Sequence, residues 1–176
     1  MKQERNKAIG IFDSGVGGIT VYRAIRAAFP EEDLVYFGDT AHMPYGEKSA
    51  DAIKHYSIKI AEFLKYKNCK MIVIACNTAS AAGYKAVVKH TGMKDLIVNV
   101  IDPAADYVVK HLYRKKIGVI ATKRTVSSNV YAKRIARLDS VTDVVQLATP
   151  LLAPMIEEGF YNNKISQTII NSYLSK

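Results

Sequence analysis

Along the chain, short uninterrupted apolar runs rich in β-branched residues alternate with longer stretches in which apolar residues return every three or four positions. The runs fall at 8–12, 34–37, 71–75, 96–101, 117–120 and 144–148. Each has the pattern of a strand covered on both faces, as in a parallel sheet. Helices are predicted between them over 20–29, 49–66, 79–89, 104–113, 125–138 and 151–158, with a last one at 164–174. This alternation argues an α/β fold with mainly parallel sheets flanked by helices. Ser49 with Asp51 can cap the long helix, Pro30 closes the first, and Gly92 follows the third. Asp102-Pro103 reads as an N-cap followed by proline at the first helical position. With no linker in view, a division is expected where a second series of strands begins, giving two similar lobes, 1–98 and 99–176, the second incomplete.

Composition narrows the class. The 176 residues are 49% hydrophobic and 23% charged, enough for one good core or two small ones, which excludes a disordered chain. Apolar runs of a handful of residues fall short of the roughly 20 that a spanning helix needs. Residues 1–7 are charged and polar, with no apolar run of signal-peptide length after them, so a cytoplasmic protein with no membrane association is expected. The net charge of +9 raises nucleic acid as a partner. Its carriers are scattered, however, and the densest cluster, Arg114-Lys115-Lys116, reads as a short turn. A soluble basic surface is the favoured reading, and nucleic acid is not expected.

Cys69 and Cys76 flank one apolar run. Extended, it holds them about 23 Å apart at roughly 3.3 Å per residue, far beyond the roughly 7 Å that a disulfide spans. The four histidines are scattered and no metal-ligand spacing stands out, so no metal is expected.

The chemistry collects where strands should end, which in such folds is where ligands bind. In order the edge carries Asp13-Ser14-Gly15, Gly38-Asp39-Thr40, Cys76-Asn77-Thr78, Asp102, Thr122-Lys123 and Thr149. The glycine-rich run from Asp13 to Gly18 offers backbone N–H groups at a helix start that could hold a phosphate or a carboxylate. Its alternative is a tight turn needing positive φ at the glycines. Cys76 precedes a helix of small residues, where the helix terminus is expected to lower its pKa and suit it as a base or nucleophile; the alternative is a buried small hydrophobe, the reading adopted for Cys69. Between Asp39 and Gly46 lies either a proline-fixed turn or a segment aiming backbone N–H groups and the Tyr45 phenol at the rim.

Taken together, the runs from Ile9 to Gly18, Tyr36 to Gly46 and Ile74 to Ser80 closely resemble the glutamate racemases. Weaker matches follow from Val119 to Thr125, at Ser128 with Tyr131, and from Pro150 to Gly159, so the resemblance covers essentially the whole chain in the family's order. It implies a cofactor-independent racemase interconverting L-glutamate and D-glutamate for peptidoglycan synthesis, and a homodimer. It further implies that Cys76 is one of two catalytic thiols and that Asp13 and Ser14 form a substrate-site pair, Asp13 also acting in proton transfer. Tyr45 and Gly46 would hold the substrate carboxylate, Asn77 and Thr78 would flank the reacting carbon, and Thr122 or Thr125 would supply the contact from the second lobe. Such a reaction needs an acid and a base on opposite faces of the stereocentre, and donors that neutralise the carboxylate, which suits a rim of amides and hydroxyls.

One departure stands out. The family's second thiol lies in a Cys-Thr-His motif, and nothing from Phe160 to Lys176 supplies it. The chain is therefore expected to be the first two thirds of a racemase, inactive and marginally stable as it stands, or else a short relative with one thiol. The rival readings are a single-thiol enzyme of the same fold and a non-catalytic binding or regulatory protein.

Overall fold

A computed structural model describes residues 7–112 and 115–175. Strands β1 (Ile9–Asp13), β2 (Leu34–Gly38), β3 (Met71–Ile74) and β4 (Ile97–Asn99) form a parallel sheet in the order β2-β1-β3-β4. Ile9 stands opposite both Leu34 and Met71, and Ile72 opposite Ile97. Side chains alternate across this sheet. Phe12, Ile72 and Ile74 pack with Ile53, Ile60 and Leu64 of α2 (Ala50–Tyr66) and Val87 of α3 (Asn77–Thr91). Ile9, Ile11, Val73 and Ala75 meet Val21, Tyr22 and Ile25 of α1 (Ile19–Ala28) on the other face. Each such aliphatic side chain stabilises the fold by roughly 1.5–3 kcal/mol on burial. Ser49 caps α2, accepting the Ala52 N–H at 3.1 Å, as expected, and Gly92 closes α3.

The second sheet has two parallel strands, β5 (Lys116–Ala121) and β6 (Asp143–Ala148), with Lys116 opposite Asp143 and Ala121 opposite Ala148. Around it lie α4 (Ile101–His111), α5 (Lys123–Ser128), α6 (Val130–Leu138), α7 (Leu152–Glu157) and α8 (Lys164–Leu174). The α/β architecture and parallel pairing agree with the sequence reading. No described helix is long and apolar enough to cross a membrane.

Several local expectations are corrected. The run 96–101 is strand only as far as Asn99. The Asn99 side-chain oxygen then accepts the N–H groups of Ile101 and Asp102, both at 2.9 Å, and starts α4 there. Asp102 and Pro103 consequently lie inside the first turn instead of at N-cap and N1. The predicted helix end at Tyr113 falls outside the described residues, as does Arg114 of the expected basic turn, while Lys116 already belongs to β5. The helix expected over 125–138 is two helices, broken at Asn129, whose φ of 55° is left-handed. Asparagine tolerates that conformation better than most residues. Asn129 is tied to β6 by Gln146 Nε2, which donates to its Oδ1 at 2.5 Å.

Coverage on both faces holds for β1 and β3, is incomplete at the edge strand β4, where Val98 is 39% exposed, and fails for the second sheet. β5 and β6 each begin with alternating exposure, leaving Ile120 56% and Val145 50% exposed. Leu151, Ile156, Phe160 and Ile165 are also more than half exposed. Apolar surface of this extent should bind the dye ANS in native buffer and brighten it several-fold. A fluorescence titration no stronger than that of a well-covered α/β domain would contradict it.

Candidate active site

The site is built where β1 and β3 end. The buried Asp13 carboxylate folds back over its own loop, its Oδ2 accepting the N–H groups of Gly15 at 3.1 Å and Gly18 at 3.0 Å. Two N–H groups expected to cradle an outside anion are thus engaged by this internal carboxylate. Nor do the loop glycines take positive φ; among described residues, Gly92 and Gly159 are the glycines that do. Gly18 is required for close approach, since a Cβ there would lie 2.6 Å from Asp13 Cβ and 2.9 Å from Ala75 Cβ. The Tyr36 hydroxyl donates to the Gly15 carbonyl at 2.9 Å and completes the loop's anchorage.

Cys76 is the N-cap of α3, so the helix begins two residues earlier than expected and carries Asn77 and Thr78 in its first turn. The buried thiol donates to Ser14 Oγ at 3.4 Å, and its sulfur accepts the Ala79 N–H at 3.4 Å. Its pKa is pushed up to about 11 by burial and, next, by the Asp13 charge, against the smaller pull of the Ser14 and Ala79 contacts. The expected lowering is therefore reversed: desolvation and a neighbouring anion outweigh the helix terminus. Cys69, a free buried thiol at the other end of β3, has its pKa raised by burial.

Tyr45 is 1% exposed, and its hydroxyl donates to Asp39 Oδ2 at 2.5 Å. Burial, then the Asp39 hydrogen bond, drives its pKa far above the phenol range. The phenol is thus committed to Asp39 instead of the rim, and any contact this segment offers a ligand falls to its backbone. Asp39 Oδ1 is also bonded to His42 Nδ1 at 2.7 Å, and the His42 ring stacks on Tyr56 with centroids 4.2 Å apart. Gly46 lies against the second sheet's unit, for a Cβ there would sit 2.8 Å from Thr122 Cβ.

Threonine hydroxyls join the two units at this point. Thr78 Oγ1 lies 3.0 Å from Thr122 Oγ1 and 3.4 Å from Thr125 Oγ1, and the last two are 3.1 Å apart. Thr122 also caps α5, accepting the Thr125 N–H at 3.3 Å. Beside this triangle Arg124 Nε donates to the Lys48 carbonyl at 3.1 Å, and Tyr131 of α6 donates to Asn77 Oδ1 at 2.5 Å. Two edge residues are occupied elsewhere: Asp102 pairs with Arg134 Nε at 2.7 Å, and the Thr149 hydroxyl turns back to the Ala121 carbonyl at 3.4 Å.

Sequence reasoning missed Glu157 as a site residue. Its Oε1 would lie 3.3 Å from a Cβ at Gly15, and its pKa is raised by burial and then by the Asp13 charge. The available signal was a pair of acids, Glu157-Glu158, ending α7, where the helix dipole disfavours carboxylates. Among the described residues no group of three His, Cys, Asp or Glu is placed to hold a metal ion.

The site therefore joins a protonated thiol, an adjacent carboxylate and a set of hydroxyl and amide groups, a combination suited to moving a proton at carbon beside a carboxylate. Comparisons with known proteins point the same way. The family model described as Asp/Glu/Hydantoin racemase matches residues 9–163. A glutamate racemase of Geobacter metallireducens is 44% identical over 169 residues, covering 96% of this chain and 62% of that protein. One from Neisseria meningitidis is 41% identical, covering 97% and 63%. Among solved structures, glutamate racemase from Francisella tularensis in complex with D-glutamate superposes with a TM-score of 0.90 at 38% identity, covering 97% of this chain and 64% of that one. The enzyme from Aquifex pyrophilus gives 0.82 at 43%, covering 96% and 65%. The chain thus spans about three fifths of the length of the curated relatives it matches. By the family match over most of its residues and by this kinship, the chain belongs to the Asp/Glu/hydantoin racemase family.

Proposed function

We propose that this chain carries one half-site of a cytoplasmic, cofactor-independent glutamate racemase that interconverts L-glutamate and D-glutamate and supplies the D-enantiomer for peptidoglycan. The observation that carries the reading is the Cys76 thiol at the start of α3, on Ser14 and within the field of Asp13. Cys76 acts on the α-hydrogen from one face. Asp13, seated by Gly15 and Gly18, governs the thiol's proton, and the ammonium of a bound amino acid offsets the Asp13 charge and brings the thiolate within reach. Ser14, the backbone at Tyr45 and Gly46, Asn77, Thr78 and the Thr122–Thr125 pair surround the substrate and neutralise its carboxylate, which stabilises the carbanion formed on deprotonation. The two sheets are the cores of two lobes, 1–98 and 99–176, the division falling within β4, and the assembled enzyme is a homodimer.

Inversion needs a second group on the opposite face, and Cys69, at the far end of β3, is not one. The 176 residues by themselves are accordingly expected to bind glutamate without racemising it. D-Glutamate at millimolar concentration should slow iodoacetamide alkylation of Cys76 several-fold, while the optical rotation of the glutamate stays constant. Alkylation indifferent to glutamate would remove the racemase reading and favour a single-thiol enzyme with another substrate, or a binding protein.

A further inference from the structure

Asn77 follows Cys76 directly and is exposed, yet its side chain is not left to rotate. Its Oδ1 accepts the Tyr131 hydroxyl at 2.5 Å, across 54 positions of sequence and from the unit of the second sheet. A carboxamide has one acceptor end and one donor end. With the oxygen engaged by a phenol, the NH2 group is the end turned away from Tyr131. The Tyr131 pKa is raised by burial, so the phenol stays a donor through the neutral range.

Tyr131 stands two residues past the break in the helix. Asn129, left-handed at φ 55° and bound by Gln146 Nε2, ends α5 and starts α6. Thr125, in the preceding short helix, is meanwhile fixed on Thr78 in the same turn of α3. Two consecutive turns of the second unit thus bear on two consecutive residues beside the thiol.

We propose that Tyr131 is a positioning residue: by holding the Asn77 oxygen it presents the Asn77 N–H donors to the carboxylate of the bound amino acid. The proposal rests on the glutamate reading above. It gives the second unit an indirect share in substrate recognition, in addition to the contacts assigned above to Thr122 and Thr125.

Protection of Cys76 against iodoacetamide by D-glutamate tests it. In Tyr131→Phe the half-protecting concentration should rise about fivefold, the scale of one lost hydrogen bond. The unprotected alkylation rate and its pH profile should stay as in wild type, because the thiol is governed by Asp13, Ser14 and Ala79. Asn77→Asp keeps an acceptor for the tyrosine and lacks the N–H donors, so it should lose protection at least as fully. At this exposed position the substitution leaves the fold intact. Equal protection of wild type and Tyr131→Phe would overturn the positioning role alone. So would a changed unprotected pH profile in Tyr131→Phe, which marks a merely structural part, or full protection in Asn77→Asp. No protection of wild type would overturn the glutamate reading and this proposal with it.

Discussion

Alanine at position 18 is expected to destabilise the protein by about 2–3 kcal/mol, the upper part of the usual range for overpacking a filled site. The added methyl would meet Asp13 Cβ at 2.6 Å, Ala75 Cβ at 2.9 Å and the Tyr36 hydroxyl at 3.0 Å. Two of these are Cβ atoms of buried residues, Asp13 ending β1 and Ala75 just past β3, and cannot swing aside as the end of a long side chain would. Relief has to come from moving the loop, which breaks the Gly18 N–H bond to Asp13 and unseats the carboxylate. Urea denaturation should show a lowered midpoint with an unchanged slope. A midpoint equal to wild type would mean that the loop is looser than its hydrogen bonds imply.

The second large effect concerns the thiol. With a pKa of about 11, Cys76 is ionised in about one molecule in a thousand at pH 8, against roughly a quarter for free cysteine. Alkylation at pH 8 should therefore run about 250-fold slower than that of free cysteine and climb steeply up to about pH 11. Asp13→Asn removes a negative charge that disfavours the thiolate, so the midpoint should fall and the pH 8 rate rise several-fold. A slower Asp13→Asn would show that the carboxylate draws the proton off the thiol in the resting site instead of holding it on. The same shift fixes a sign for stability. The folded pKa lies above the ordinary value of 9.0, so the folded state binds the extra proton. Its contribution is complete below about pH 9 and is lost as the pH rises through about 11.

Much of this site was legible because continuous apolar runs mark parallel strands, and strand ends are where chemistry gathers. Asp13, Ser14, Cys76, Thr78 and Thr122 could be placed together on that ground alone. What stayed hidden depends on side-chain contacts and backbone conformation that the apolar pattern does not display. Asp102-Pro103 has the form of a helix start, but Asn99, three residues earlier, captured the N–H groups first. The break at Asn129 leaves no mark in the periodicity, since apolar spacing survives a one-residue kink. A cysteine before a helix announces a lowered pKa from its neighbours in sequence. The Asp13 charge that adds to the reversal comes from the end of β1, about sixty residues away, and the larger effect, burial, comes from the core assembled around Cys76.

The seam at Thr78, Thr122 and Thr125 has a mechanical consequence. A joint of apolar side chains would cost about 25 cal/mol for every Å² exposed on parting. Hydroxyls that bond one another can bond water equally well, so separating the two units there exchanges partners with little change in free energy. Thr78 and Thr125 are buried in that seam, so parting the two units there would wet hydroxyls in place of apolar side chains.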